Sequence, residues 1–188
     1  MKDAAKKRKR LTDWAGNMER AKLPRWEQLP DMDLYMDQVI TYLEKQTEIC
    51  KGPYDDKVIT TSMVNNYVKN KVIPATVKKK YAPKHLAALI SVCVLKQSLP
   101  ISLLGDIIRS EDVAAGMQSM YNDFVNRQNR ALSENMAEFS KKIEAIDPED
   151  RAGLIDYAVE LAARGSIQRS MSLRILSGLF EHEDKKKK

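Results

Sequence analysis

Apolar side chains recur every three to four residues along most of the chain, a spacing that places them on one face of an α-helix. The first such group is Leu11, Trp14, Ala15 and Met18, which predicts a basic amphipathic helix within residues 1–22. The same spacing returns in most later segments and is interrupted chiefly at prolines and glycines. The pattern therefore predicts an all-α fold.

The second predicted helix runs from Met32 to Thr47, with Asp31 or Asp33 as its amino-terminal cap. Two prolines within residues 23–30 predict an extended connection before it, because the residue preceding a proline disfavours the helical conformation. The sequence KGPYDD at residues 51–56 predicts a polar loop after it.

A shorter helix is predicted between Thr60 and Asn70, and Asn70 is expected to end it in the left-handed conformation. A threonine or serine at residues 60–62 supplies the cap. Four apolar residues form its expected inward face: Met63, Val64, Tyr67 and Val68.

Prolines delimit the next two helices. Pro83 suits the first position of a helix, and residues 86–94 are apolar on both faces, which predicts a buried central helix. Pro100 separates it from a short helix that carries Ile107 and Ile108.

Residues 111–146 contain one glycine and no proline, and their apolar positions alternate by four and three. We expect one long helix with a polar middle, with two helices as the alternative, and Met117, Met120 and Met136 in the core or at a dimer seam. A further helix is predicted from Asp147–Pro148 to Gly165, and a last one over residues 167–179.

The predicted organisation has four parts, and a winged helix-turn-helix is the proposed architecture of the second part. The four parts are an amino-terminal arm or helix (1–22), a winged helix-turn-helix domain (23–110), a helical dimerisation or effector region (111–180) and a charged tail (181–188).

Composition favours the same fold and excludes several classes of protein. Glycine and proline each occur only seven times, which favours helices over turn-rich sheets. Cys50 and Cys93 have no further cysteine or histidine at ligand spacing, so neither a zinc site nor a disulfide framework is expected. No segment has the apolar length of a signal peptide or a membrane span, so we expect a cytoplasmic protein without a membrane partner.

Enzymatic chemistry has no recognisable motif here. The sequence has two histidines and lacks a glycine-rich phosphate loop, an HExxH motif and a nucleophile elbow. We therefore expect no catalytic residues, no metal and no cofactor.

Charge points to nucleic acid only locally. The formal net charge is +6, but residues 1–10 carry +5 and residues 181–188 carry +1, so the body of the chain sums to about zero. A basic binding surface must then arise from local clusters.

The candidate DNA contacts lie on and just after the short helix of residues 61–70. Its outward side chains are short or bidentate hydrogen-bonding groups, which suit base edges and phosphates. Three consecutive lysines and a tyrosine follow where a wing would meet the phosphate backbone. The predicted contacts are Thr61, Ser62, Asn65, Asn66, Lys69, Lys71, Lys78, Lys79, Lys80, Tyr81 and Lys84. His85, beside them, is expected to be a surface or capping residue, or else a phosphate contact.

This segment resembles the winged-helix domain of the mercury-resistance regulator (MerR) family. The resemblance rests on Tyr67, on Val72 to Pro74, on Tyr81 and on Leu86. Three positions differ from that family. Asn65 replaces the arginine of the reading helix, Lys71 replaces a glycine and Lys79 replaces the wing arginine. Base specificity is therefore not carried over.

Residues 23–180 also resemble the bacterial family known as domain of unknown function 1836, whose members are taken for transcriptional regulators. The resemblance implies regulation without indicating a target or an effector. The helix-turn-helix leads us to expect binding to double-stranded DNA, and the four-three apolar spacing after Ser110 leads us to expect a homodimer. The alternative is a helical protein-interaction adaptor that keeps the helix-turn-helix shape without binding DNA. A coherent positive charge around Lys69, Lys71 and residues 78–80 would favour DNA, and neighbouring acids would favour the adaptor.

Overall fold

The computed structural model describes residues 2–53 and 57–180, and the helices account for most of them. The helices are α1 (Lys2–Arg20), α2 (Met36–Gln46), α3 (Thr61–Lys69), α4 (Pro83–Leu95), α5 (Ile101–Arg109), α6 (Glu111–Ala115), α7 (Met117–Ala145) and α8 (Arg151–Phe180). Short 3-10 turns occupy Trp26–Gln28 and Glu48–Cys50. The all-α prediction is confirmed for the described residues, which contain isolated β-bridges but no strand.

The chain divides into two compact units. One unit is Leu23–Gln128, and the other comprises the described residues within Met1–Lys22 and Asn129–Lys188. The predicted charged tail at residues 181–188 lies outside the described residues.

Helix α4 is the centre of the Leu23–Gln128 unit. Its residues 85–90 are all buried, as the sequence predicted for a central helix, and Pro83 occupies its first turn. Helices α2 and α5 pack against it, and α3 packs against α2. Each fully buried leucine or isoleucine here contributes roughly 1.5–3 kcal/mol to the free energy of unfolding.

Helix α2 begins later than predicted, at Met36, and neither Asp31 nor Asp33 caps it. The reason is tertiary: Leu34 exchanges two backbone hydrogen bonds with Tyr81, at 2.9 and 3.0 Å, and is therefore held in an extended conformation. The amide oxygen of Gln38 instead accepts a hydrogen bond from the backbone N–H of Tyr35 at 2.9 Å.

Aromatic contacts organise the second unit. Trp14 on α1 meets Phe139 on α7 edge-on, with ring centroids 5.4 Å apart. Phe139 in turn lies 6.1 Å from the ring of Tyr157 on α8, which is buried. These contacts and the buried Ile143 cover the apolar face that α7 presents within this unit.

Glycines have effects that differ from those predicted. Gly116 separates α6 from α7, so the long helix begins at Met117 and then continues through the polar residues 126–130. Gly165 was expected to end a helix but lies inside α8, which runs unbroken to Phe180. A single helix-interior glycine costs about 1 kcal/mol, which a helix of this length tolerates.

Candidate nucleic-acid interface

Helix α3 begins with a side-chain cap. The hydroxyl oxygen of Thr60 accepts a hydrogen bond from the backbone N–H of Met63 at 3.2 Å, which satisfies one donor that the helix start leaves without a partner. Val64 and Tyr67 are buried, as predicted, whereas Met63 is 38% exposed instead of pointing inward. The outward face is exposed along the whole helix: Thr61, Ser62, Asn65, Asn66 and Lys69.

Lys71 ends the helix in the left-handed conformation, with φ at 55°. The backbone N–H of Val72 donates to the Tyr67 carbonyl at 2.8 Å, and that of Lys71 donates to the Val68 carbonyl at 3.1 Å, which is the hydrogen-bond pair of a Schellman motif. Asn70, predicted to be left-handed, has φ at −87°. Because a left-handed lysine costs roughly 1–2 kcal/mol, neighbouring contacts have to hold it.

Helix α5 supplies such contacts. The guanidinium of Arg109 donates to the backbone carbonyl of Lys71 and forms an ion pair with Asp106 at 2.6 Å. A Cβ atom at Gly105 would lie 3.3 Å from the Cα atom of Val72. The missing side chain at position 105 therefore lets α5 approach the end of α3 closely.

Residues 77–80 form a two-residue hairpin turn with Lys78 and Lys79 at its centre. Their φ angles are 51° and 60°, and the backbone N–H of Lys80 donates to the Val77 carbonyl at 3.0 Å. Positive φ at both central positions is the mark of a type I′ turn, for which Asn-Gly is the preferred sequence. Two lysines here cost roughly 1–2 kcal/mol each, and backbone strain of this kind clusters at functional positions.

Tyr81 and His85 hold the hairpin in place. Tyr81 is 4% exposed, and its ring meets the imidazole of His85 edge-on at 5.9 Å. The Nδ1 atom of His85 accepts a hydrogen bond from the backbone N–H of Ala82 at 2.9 Å, so Nε2 carries the proton and donates to the Ala75 carbonyl at 3.1 Å. Burial raises the pKa of the Tyr81 hydroxyl. His85 therefore caps α4, one of the roles expected for it, but is buried, and Tyr81 supports the turn from inside.

The remaining hairpin lysine has an aromatic neighbour. The ammonium of Lys80 lies 5.5 Å from the centroid of the Tyr35 ring, a cation–π distance. Tyr35 is itself 54% exposed, so the pair lies at the surface. Lys84, in the first turn of α4, is also exposed.

Charge in this part of the chain has one sign. Residues 57–105 contain no aspartate or glutamate and eight lysines: Lys57, Lys69, Lys71, Lys78, Lys79, Lys80, Lys84 and Lys96. Within residues 2–53 and 57–180, Lys57 forms an ion pair with Glu44 at 3.9 Å, and the six of these lysines that were predicted to contact DNA have no carboxylate partner. The net charge of the whole body does not reveal this basic segment, because the acids that balance its lysines lie in other parts of the sequence.

The predicted contact residues all lie in the Leu23–Gln128 unit, and solvent reaches every one of their side chains except that of Tyr81. The two asparagines of α3 differ. The amide oxygen of Asn66 accepts a hydrogen bond from the amide of Asn70 at 2.7 Å, whereas Asn65 has no such bond in the described part of the chain. Asn65 is therefore the better placed of the two to bond an external group.

The same unit contains an apolar cavity of about 150 Å³ between α4, α5, α6 and α7. Met117 and Met120, expected in a core or dimer seam, lie in its wall. The two polar side chains of the wall are already engaged, because the Ser91 hydroxyl donates to the Ala87 carbonyl and the Tyr121 hydroxyl donates to a backbone carbonyl at residue 24. Both hydroxyl groups in the cavity wall therefore already donate their hydrogen to the backbone.

Groups that could support metal or thiol chemistry are not brought together in the described residues. No group of three or more histidine, cysteine or acidic side chains there could hold a metal ion. Both cysteines are buried and unpaired, and burial raises the pKa of Cys50 to about 12 and that of Cys93 to about 11. None of the helices in the described ranges is both long enough and apolar enough to cross a membrane.

The fold and this surface define an all-helical protein whose Leu23–Gln128 unit displays a short polar helix and a lysine-tipped hairpin within an acid-free segment. The chain belongs to the family described as Domain of unknown function (DUF1836), whose model matches residues 24–136. The match ends well before residue 180, to which the sequence resemblance was expected to extend. No curated protein and no solved structure matches the chain significantly.

Proposed function

We propose that the protein is a transcriptional regulator that binds double-stranded DNA. Helix α3 enters the major groove, and the lysines of the hairpin contact phosphates. The observation that carries this proposal is the placement of Lys78 and Lys79 at the strained tip of a turn, without carboxylate partners and in the same acid-free segment as the exposed polar helix α3. Such a function places the protein in the cytoplasm, and it requires no catalytic residue.

The dimensions and chemistry of α3 support major-groove binding. An α-helix with its side chains is about 10–12 Å in diameter, and the major groove, about 12 Å wide, admits it. Asn65 has the bidentate amide that pairs with adenine N6 and N7, and Thr61 and Ser62 at the helix start suit phosphate or base contacts.

The hairpin supports the proposal through its strain. Glycine or asparagine would form the same turn at a lower cost, so lysine at both positions contributes something other than stability. Two ammonium groups at the tip of a tight turn, anchored by the buried Tyr81, are suited to contact a phosphate backbone.

Two features agree with a MerR-like winged helix-turn-helix formed by α2, α3, the hairpin and α4. Lys71 stands where that family has a glycine, and its φ of 55° is the conformation in which glycine is preferred. The hairpin at residues 77–80 lies where the wing is expected, and in this chain that wing would be reduced to a single bridge.

The test compares a double variant with a charge-matched control. We expect Lys78→Ala with Lys79→Ala to weaken binding to all DNA sequences alike, and to lower the slope of log affinity against log salt by about 0.9 for each lost phosphate contact. Lys45→Ala with Lys141→Ala removes the same charge from exposed positions on α2 and α7 and should leave the slope nearly unchanged. Affinity would be measured by fluorescence anisotropy on labelled duplexes.

Fragments of the source genome retained by the purified protein would then reveal the preferred sequence. A protein that binds no duplex at low salt, or whose two double variants behave alike, would refute DNA binding through the hairpin. The adaptor would then be the better explanation.

A further inference from the structure

Small side chains of the central helix α4 create the apolar cavity of the Leu23–Gln128 unit. Ala87, Ala88 and Ser91 line it, whereas most of the other residues of α4 are large and apolar. Both alanines are only 1% exposed, yet a space of about 150 Å³ lies against them. Protein interiors are normally filled to the density of organic crystals, so a space of this size is unusual. The cavity therefore follows from the choice of small residues at buried positions of α4.

The wall of the cavity is apolar and carries no charged side chain among the described residues. Its two hydroxyl groups are already used: that of Ser91 donates to the Ala87 carbonyl, and that of Tyr121 donates to the carbonyl of residue 24, each at 2.9 Å. Burying a charge or an unpaired polar group costs free energy. The wall therefore selects against ionic and strongly polar ligands.

Depth and volume distinguish this cavity from an open apolar face. Ala88, Val92 and Leu104 in its wall are each at most 1% exposed, whereas Met120, also in the wall, is 43% exposed. The cavity thus extends from the surface on α7 to buried residues of α4 and α5. Apolar cavities of about 150 Å³ can hold a molecule as small as benzene, whereas a protein partner needs a broad surface. Its dimensions therefore suit a small molecule.

Two methionines give the wall a means of adjusting to a ligand. Met117 and Met120 lie three residues apart on α7, and both are at least partly exposed. Methionine is unbranched and has a polarisable sulfur atom, so it packs against ligands of different shape. Their position on the exposed side of the cavity suits the entry of a ligand.

We propose that this cavity binds a small, uncharged, apolar molecule of about the size of one six-membered ring. An empty apolar cavity is destabilising because the atoms that line it lack van der Waals partners, and such a ligand supplies them. The class includes small aromatic and alicyclic compounds and excludes nucleotides, sugars and carboxylates. The proposal does not depend on whether the protein binds DNA, because the cavity is lined by none of the predicted DNA contacts.

The first test compares ligands of similar size by isothermal titration calorimetry with the full chain. Toluene should bind with a Kd below about 1 mM. Phenol should bind several-fold more weakly, because its hydroxyl would lose water without gaining a partner, and benzoate should not bind. The proposal is overturned if toluene does not bind up to its solubility limit, or if benzoate binds as tightly as toluene.

The second test changes the polarity of the wall at the surface, where the fold tolerates it. Met120→Gln keeps the length of the side chain but adds an amide, and it should weaken toluene binding about five-fold or more. Met171→Gln makes the same change on α8, at a position that is 60% exposed and outside the wall, and should leave binding unchanged. An equal effect of the two variants would mean that toluene binds elsewhere.

The third test fills the cavity from its buried side. Ala88→Leu should abolish toluene binding while circular dichroism remains that of the parent. Ala137→Leu adds the same atoms at an exposed position of α7 outside the wall and should bind toluene as the parent does. A folded Ala88→Leu variant that still binds toluene with the parent affinity refutes this location. Should Ala88→Leu not fold, the comparison of Met120→Gln with Met171→Gln decides the question.

Discussion

The imidazole of His85 is joined to the carbonyl oxygen of Ala75, ten residues earlier, by a hydrogen bond of 3.1 Å from Nε2. Through this bond the buried imidazole in the first turn of α4 fixes the segment that leads into the lysine hairpin. His85, which lies beside the predicted phosphate contacts in the sequence, is therefore buried and supports the hairpin segment from inside the fold.

We expect His85→Ala to lower the free energy of unfolding by about 1–3 kcal/mol, because it removes a buried side chain and leaves the Ala82 N–H and the Ala75 carbonyl without that partner. DNA affinity should fall as well, since the hairpin loses its anchor. Urea unfolding and duplex binding measure the two effects. His85→Gln, which keeps a donor and an acceptor, should lose less, and an alanine variant as stable as the parent would exclude the anchoring role.

Relieving the strain of the hairpin should separate stability from function. Lys78→Asn with Lys79→Gly introduces the preferred type I′ sequence, and we expect a gain of about 1 kcal/mol in the free energy of unfolding after the entropic cost of glycine. Binding to DNA should weaken in the same variant because two phosphate contacts are lost. A variant that is no more stable, or that binds as tightly as the parent, contradicts the explanation given for this turn.

Asn65 should determine sequence preference and the hairpin should not. Asn65→Ala is expected to cost about 1–3 kcal/mol of binding free energy at the preferred duplex and little on unrelated DNA. Asn135→Ala on α7 serves as a matched control, since Asn135 is also exposed. An unchanged ratio of specific to nonspecific affinity in Asn65→Ala would mean that α3 does not read bases.

The buried thiols predict a loss of stability at alkaline pH. Burial raises the pKa of Cys93 to about 11 and that of Cys50 to about 12, above the values near 9 expected for the unfolded chain. The folded state therefore binds more protons above pH 9, and its stability falls as pH rises from there towards the folded pKa values, by up to about 1.4 kcal/mol per pH unit for each thiol.

Urea unfolding between pH 7 and pH 11 measures this slope, and Cys93→Ala should reduce it. At pH 8 fewer than about one in a hundred Cys93 side chains should be ionised in the folded state, so iodoacetamide should modify it only after unfolding. Rapid labelling of the native protein would contradict the burial of this thiol.

Local patterns predicted the parts of the fold that depend on neighbouring residues. The helix of residues 61–69 with its Thr60 cap, the proline start of α4 and the buried face of α4 are each confirmed, because capping, proline geometry and helical spacing act over a few residues. The exposed row on α3 follows from the same periodicity. The family was likewise identifiable from sequence, over residues 24–136.

Tertiary contacts decided the rest. Leu34 pairs with Tyr81 and thereby delays the start of α2, and Gly165 remains helical inside α8. No local rule predicts two lysines at the centre of a type I′ turn, because their strain is offset only by packing that distant residues provide. The sequence by itself thus determined which segments are helical and where the lysines concentrate. The three-dimensional packing alone decided the burial of His85, the exposure of Met63 and the strain at Lys78 and Lys79, since these depend on contacts between residues far apart in the chain.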